Sequence, residues 1–154
     1  MGKITLPPMA HEADPVHPIL GNRCGDYSYQ LLSDPGGKTQ FGTFIETLPQ
    51  GSRSGHRHWH EGEDDMVYIL SGAVVLVEDT ETILHPGDVA AWPAGSPVGH
   101  CLDNPSTAHA TYMVIGARHQ TDIIHYSDHD LITHKDGSAR RYLHRDGTEY
   151  RRTT

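Results

Sequence analysis

The stretch Gly55-His56-Arg57-His58-Trp59-His60-Glu61-Gly62-Glu63-Asp64-Asp65-Met66-Val67-Tyr68-Ile69-Leu70-Ser71-Gly72 holds both a strand signal and a chemical one. Its second half is a short apolar run closed by Ser71-Gly72, which reads as a strand entering a tight hairpin turn. Its first half contains an HxH. On an extended backbone alternate side chains share a face, so His58 and His60 point the same way, and Arg57 and Trp59 point the other way. His56 has the parity of the pair. Asp65 opens the run DMVYIL, and a carboxylate at the head of an inward-facing strand is costly unless it is paired or bound to a metal.

The same rhythm continues on both sides. YSYQLL (27–32) is followed by Asp34-Pro35-Gly36-Gly37, and TQFGTFIETL (39–48) by Pro49-Gln50-Gly51. ETILHPGDVAAWPAG (81–95) carries the turns Pro86-Gly87-Asp88 and Pro93-Ala94-Gly95, and AHATYMVIGA (108–117) closes the series. Strands of about six residues turning every 8–12 predict an all-β sandwich or barrel over 26–117. Residues 1–25, rich in Pro, Gly and His without periodicity, read as an N-terminal arm. Residues 118–154 are highly charged yet keep Ile123, Ile124, Tyr126, Leu131, Ile132, Tyr142 and Leu143. That apolar content predicts an ordered C-terminal extension packing on the barrel or across a dimer, with fraying beyond Tyr150.

Composition narrows the function classes. The 154 residues suit one domain. No apolar run approaches the ~20 residues that span a bilayer. The first residues lack the basic-then-apolar layout of a signal peptide, so a cytoplasmic location is expected. Residues 1–116 carry 5 Lys and Arg against 14 Asp and Glu, whereas 117–154 carry 7 against 6. An acidic body repels phosphate backbones, which argues against nucleic-acid binding. Cys24 and Cys101 form no CxxC pair and read as free thiols. Thirteen histidines are many for this length, and histidine is the commonest metal ligand.

A further histidine, His100, follows the turn at 93–95. His58, His60, Asp65 and His100 together make a set that suits Fe, Mn, Co, Ni or Zn, and the carboxylate tilts it away from a closed structural zinc site. Fe2+ or Mn2+ is the first expectation, Zn2+ or Ni2+ the second. His109 could line the cavity with Thr111 and Met113, or be a structural histidine. Trp92 reads as a packing residue, and Tyr68 should face away from Asp65. Arg53 and Arg57 could attract an anion, or balance the acidic run at 61–65.

These spacings resemble the two cupin motifs. After His58-Trp59-His60 come four residues, Asp65, six residues and Gly72. Gly87 is followed by five residues, Pro93-Ala94-Gly95, four residues, His100, three residues and Asn104. Aspartate stands at 65 where the family has glutamate, Gly51 is one position early, and two residues are inserted before His100. The resemblance covers roughly 40–116 and implies a jelly-roll (double-stranded β-helix) barrel holding one divalent transition metal. The segment RHWH (57–60), the turn GDVAAWPAG (87–95) and the tail YSDHDL…YLHRDGT (126–148) are similar to those of a group of small bacterial cupins without a settled activity.

Two function classes follow. One is a metalloenzyme acting on a small polar molecule inside the barrel, either a dioxygenase or an isomerase, lyase or decarboxylase, with the metal as Lewis acid or O2 site. The other is a non-catalytic small-molecule-binding cupin. No catalytic residue beyond the ligands stands out. Because DMVYIL is apolar on both faces, a homodimer is also expected.

Overall fold

The computed structural model describes residues 2–22 and 24–151; the fraying expected beyond Tyr150 falls mostly on 152–154, outside the described residues. Thirteen strands and one 3-10 turn (Asp34–Gly36) make up the described chain. They are β1 (Ala10–Glu12), β2 (Tyr27–Leu31), β3 (Phe41–Leu48), β4 (His58–His60), β5 (Asp65–Ser71), β6 (Val74–Val77) and β7 (Glu81–Leu84). Then come β8 (Val89–Trp92), β9 (Cys101–Asp103), β10 (Ala110–Ala117), β11 (Thr121–Tyr126), β12 (Leu131–Asp136) and β13 (Ala139–Leu143). No helix is long and apolar enough to cross a membrane.

One wall of the jelly roll is the antiparallel sheet β1-β2-β3-β10-β5-β8. The other is built from β7-β6-β9 and β13-β12-β11-β4. These two pieces are joined by a bridge between His58 and His100. Alternation along each strand buries one face. Leu48 of β3, Val67 and Ile69 of β5, Val74 and Leu76 of β6, Trp92 of β8 and Tyr112 of β10 fill the interior. Fully burying an aliphatic side chain such as Leu48 or Ile69 is worth about 1.5–3 kcal/mol.

Three expectations are corrected. Ser71-Gly72 does not close a hairpin, because β5 pairs with β10 and β8 while β6 pairs with β7 and β9. The chain instead crosses from one wall to the other at this point. Gly72 sits at φ +72°, and a Cβ there would lie 2.5 Å from the His109 carbonyl oxygen, so the corner requires glycine. In β10 the inward residues are Ala110, Tyr112 and Val114, the opposite parity to His109, Thr111 and Met113; His109 is exposed. Arg53 and Arg57 do not balance residues 61–65. Arg53 makes a two-pronged pair with Asp103, and Arg57 pairs with Asp128 and Asp79.

The C-terminal extension is part of the same body. β11 pairs with β4 in the register Ile124 to His60, His125 to Trp59 and Tyr126 to His58. A Cβ on Gly99 would lie 1.7 Å from the Ser127 hydroxyl, so the extension approaches the backbone just before His100 as closely as glycine allows.

Candidate metal centre

Local backbone pairing brings the four sequence-selected residues together. β4 presents His58 and His60, whose ring centroids are 5.1 Å apart. The residues inserted before His100 are absorbed in a turn, where Ser96 N donates to Pro93 O and Gly95 N donates to His60 O. His100 is thereby set beside His58, with ring centroids 5.8 Å apart and backbone bonds in both directions. Asp65, at the start of β5, reaches the site despite its short side chain: Oδ2 lies 3.5 Å from His100 Nε2. Its Oδ1 accepts from Met66 N.

The imidazole tautomers follow from their partners. His58 Nδ1 donates to the His56 carbonyl at 2.7 Å, and His100 Nδ1 to the Val98 carbonyl at 3.1 Å. His60 Nδ1 lies 2.6 Å from Asp122 Oδ2. Carbonyls and carboxylates only accept, so each Nδ1 carries a hydrogen, and in the neutral ring the lone pair is on Nε2. His100 Nε2 is buried and has no hydrogen-bond partner. Burial, aided by the neighbouring His60, holds the His58 pKa down at about 4, so that ring is neutral. Trp92 stacks on His100 with ring centroids 3.5 Å apart and planes 1° apart, which fixes the orientation of that ring.

Outer groups matter as much as the four. Asp122, from β11, has a side chain with no exposed surface, and its Oδ1 accepts from Gly62 N at 2.8 Å. Glu63 pairs with Lys135 and approaches His60. His60, Glu63 and Asp122 bring three ligand-type atoms within 4.8 Å of one another, a set that can hold an ion. In this geometry, however, the His60 Nδ1 lone pair is already used by its hydrogen, and the Lys135 ammonium lies on Glu63. The trio is therefore better suited to orienting His60 than to binding. Among the described residues, no three of His58, His60, Asp65 and His100 bring their ligand atoms within 4.8 Å of one another.

A cavity of about 190 Å³ opens beside His58, Asp65 and His100, walled by Val67, Trp92, Leu102 and Val114 and by two residues unforeseen in the sequence, Glu46 and Tyr112. Glu46 was visible as the one acid in TQFGTFIETL, but only the pairing of β3 with β10 gives it a cavity face. Among the described residues lining the cavity there is no Lys or Arg. His56 and His109 are not among the lining residues; the His56 ring packs against His129 and His17. His125 stacks on Trp59 and bonds Glu61, and the two cysteines are free thiols. A larger groove of about 680 Å³ lies over Glu61, Asp122, Lys135 and Arg141, and its lining includes none of His58, His60 and His100.

Comparison with known proteins agrees with this architecture. The Cupin domain family model matches residues 44–116. A solved structure from Silicibacter pomeroyi, described as a sugar phosphate isomerase from the cupin superfamily, is 36% identical, with 93% of this chain and 92% of that one covered at a TM-score of 0.86. A protein from Acidithiobacillus ferrooxidans, described as a putative sugar phosphate isomerase, is 23% identical over 81% of each chain (TM-score 0.73). A predicted oxalate decarboxylase from Thermotoga maritima is 24% identical over 60% of this chain and 81% of that one (TM-score 0.53). The last two show likeness of fold alone, and the comparison with curated proteins returned no match. With its two histidine motifs side by side in one wall of a jelly-roll barrel, this chain belongs to the cupin superfamily.

Proposed function

We propose that the chain is a mononuclear metal-dependent enzyme whose metal is held by His58, His60, Asp65 and His100. One observation carries this reading: His100 Nε2 is buried without a hydrogen-bond partner, 3.5 Å from the Asp65 carboxylate, and His58 and His60 engage their backbone or carboxylate partners through Nδ1. Two ligand atoms each about 2.1 Å from one ion lie at most about 4.2 Å apart, so the Asp65–His100 pair already fits. Three imidazoles and a carboxylate suit Fe2+ or Mn2+ first, with Zn2+ or Ni2+ next. A divalent ion bound there supplies Lewis-acid polarisation of a substrate oxygen, or an open position for O2.

The cavity limits the substrate. About 190 Å³ holds a molecule of few heavy atoms, and an interior with Glu46 and Asp65 but no Lys or Arg among its described lining residues offers no side-chain cation to a phosphate dianion. The Silicibacter pomeroyi relative raises the sugar-phosphate reading, yet this lining favours a small, phosphate-free molecule with oxygen donors. An isomerase, lyase or decarboxylase reaction and a dioxygenase reaction both suit such a site. A non-catalytic binding protein is the competing reading. We further propose a cytoplasmic homodimer, in which a second copy covers the exposed apolar residues Tyr68, Leu70 and Val89 on the outer face of the β5–β8 pair.

Reconstitution with Fe2+, Mn2+, Ni2+ and Zn2+, followed by metal analysis, tests the site: one ion per chain is expected, and none would overturn the reading. Screening the loaded protein with small hydroxy and keto acids, with and without O2, separates turnover from binding alone. Light scattering showing a monomer at micromolar concentration would refute the dimer.

A further inference from the structure

Glu46 has no role in the proposed metal set, yet it lines the same cavity. It lies on the inward face of β3 between Phe44 and Leu48, and only 8% of its surface is exposed. Tyr112 is its direct antiparallel partner on β10, is 1% exposed, and is hydrogen-bonded through its hydroxyl to Glu46 Oε1. Ser54 supports the tyrosine hydroxyl in turn. A buried carboxyl needs a reason to be retained, because an apolar or amide side chain of similar size would avoid the cost of desolvating it.

We infer that Glu46, with Tyr112 behind it, is the acid–base residue of the barrel, giving a proton to and recovering it from an oxygen atom of the small molecule bound in the cavity. This rests on the proposed reading that the cavity is the reaction site. In the forward step the Glu46 O–H bond breaks and a substrate O–H bond forms. The negative charge left on the carboxylate is met by the Tyr112 hydroxyl donating to it; the reverse step restores the starting state. No oxidant or other reactant is needed for the transfer.

The surroundings poise the group for this work. Burial pushes the Glu46 carboxyl up to about 7, and the Tyr112 hydrogen bond opposes that rise. A proton donor and acceptor works best when its pKa lies near the operating pH. The neighbouring titratable groups do not compete. Burial, reinforced by Glu46, keeps Tyr112 protonated, and burial pushes the Cys101 thiol on β9 up to about 12. Burial also raises Tyr27 on β2 and Cys24. His58, Asp65 and His100 face the cavity from β4, β5 and the segment before β9.

Infrared spectroscopy of metal-free protein, together with azide binding to Co2+-loaded protein, tests the inference. The difference spectrum between wild type and Glu46→Gln should contain a neutral carboxylic acid band at pH 5.5 that converts to carboxylate by pH 9. Tyr112→Phe should move that midpoint upward, since it removes the bond that favours the carboxylate. On Co2+ protein, azide affinity should fall by about tenfold per pH unit above neutrality in wild type, and stay level in Glu46→Gln. Absence of the acid band, an unmoved midpoint in Tyr112→Phe, or the wild-type azide profile in Glu46→Gln would each overturn the assignment. Failure to bind Co2+ would instead refute the metal reading and leave the infrared measurement to decide on Glu46.

Discussion

Replacing Asp122 by asparagine is the sharpest test of the proposed metal centre, because Asp122 touches one ligand and comes from outside the two histidine motifs. Its carboxylate has two jobs. Oδ2 receives the His60 Nδ1 hydrogen at 2.6 Å, and Oδ1 receives the Gly62 N–H at 2.8 Å. An amide has one acceptor oxygen, so Asp122→Asn must leave His60 or Gly62 facing an NH2 group. A hydrogen bond to a charged acceptor is roughly twice as strong as a neutral one, and it also makes the opposite ring nitrogen a better ligand. Removing such an outer partner weakens metal binding by about 10–100-fold, or about 1.4–2.7 kcal/mol. The assay is competition for Co2+ or Zn2+ against a chromophoric chelator, with circular dichroism confirming the fold. Asp130→Asn is the control: Asp130 binds His144 and the Arg145 backbone in the same extension, away from the imidazoles. Loss in Asp122→Asn with none in Asp130→Asn is expected. Wild-type affinity in a folded Asp122→Asn protein would refute the argument that the extension tunes the site.

Three other outcomes follow. Metal at 100 times its Kd should stabilise wild type by about 2.7 kcal/mol in urea titrations, and His58→Ala or His100→Ala should lose that gain; Asp65→Ala should keep part of it through the three imidazoles. The Glu46 contribution to metal-free stability, read as wild type minus Glu46→Gln, should fall as pH rises from about 4.5 to 7 and then level off, whereas the depressed His58 pulls total stability the other way between about pH 4 and 6.5. Between about pH 4.5 and 7 the folded chain holds on Glu46 a proton that the unfolded chain has already released. The effect approaches roughly 3 kcal/mol, so Glu46→Gln should be the more stable protein at pH 9 and close to wild type at pH 4; the same slope in both would disprove the assignment. Gly72→Ala should cost about 1–2 kcal/mol from the left-handed backbone alone, and more from the contact with His109 O, as read from the denaturation midpoint.

What could be read along the chain is what depends on local periodicity. The two-residue alternation of an extended strand puts His58 and His60 on one face and turns Tyr68 away from Asp65, and the structure keeps both relations. Turn residues at fixed offsets mark the all-β class. The reading failed where one strand's neighbour had to be known. Ser71-Gly72 has the composition of a hairpin turn, but whether a turn joins two paired strands or two separate walls is a property of the sheet. His109 was one residue out of step with the inward face of β10, because a strand's period does not say which of its two faces is buried.

Asp122, Glu46 and Tyr112 mark the same boundary from the functional side. Asp122 stands 62 positions from His60 along the chain, and Tyr112 stands 66 from Glu46. No spacing rule links residues so far apart. The amino-acid sequence alone determined the strand rhythm and the parity of the HxH pair, since both arise between neighbours on one extended backbone. Only the tertiary structure decided which carboxylate steadies His60 and which acid faces the cavity, since those contacts exist only once β11 lies along β4 and β10 along β3.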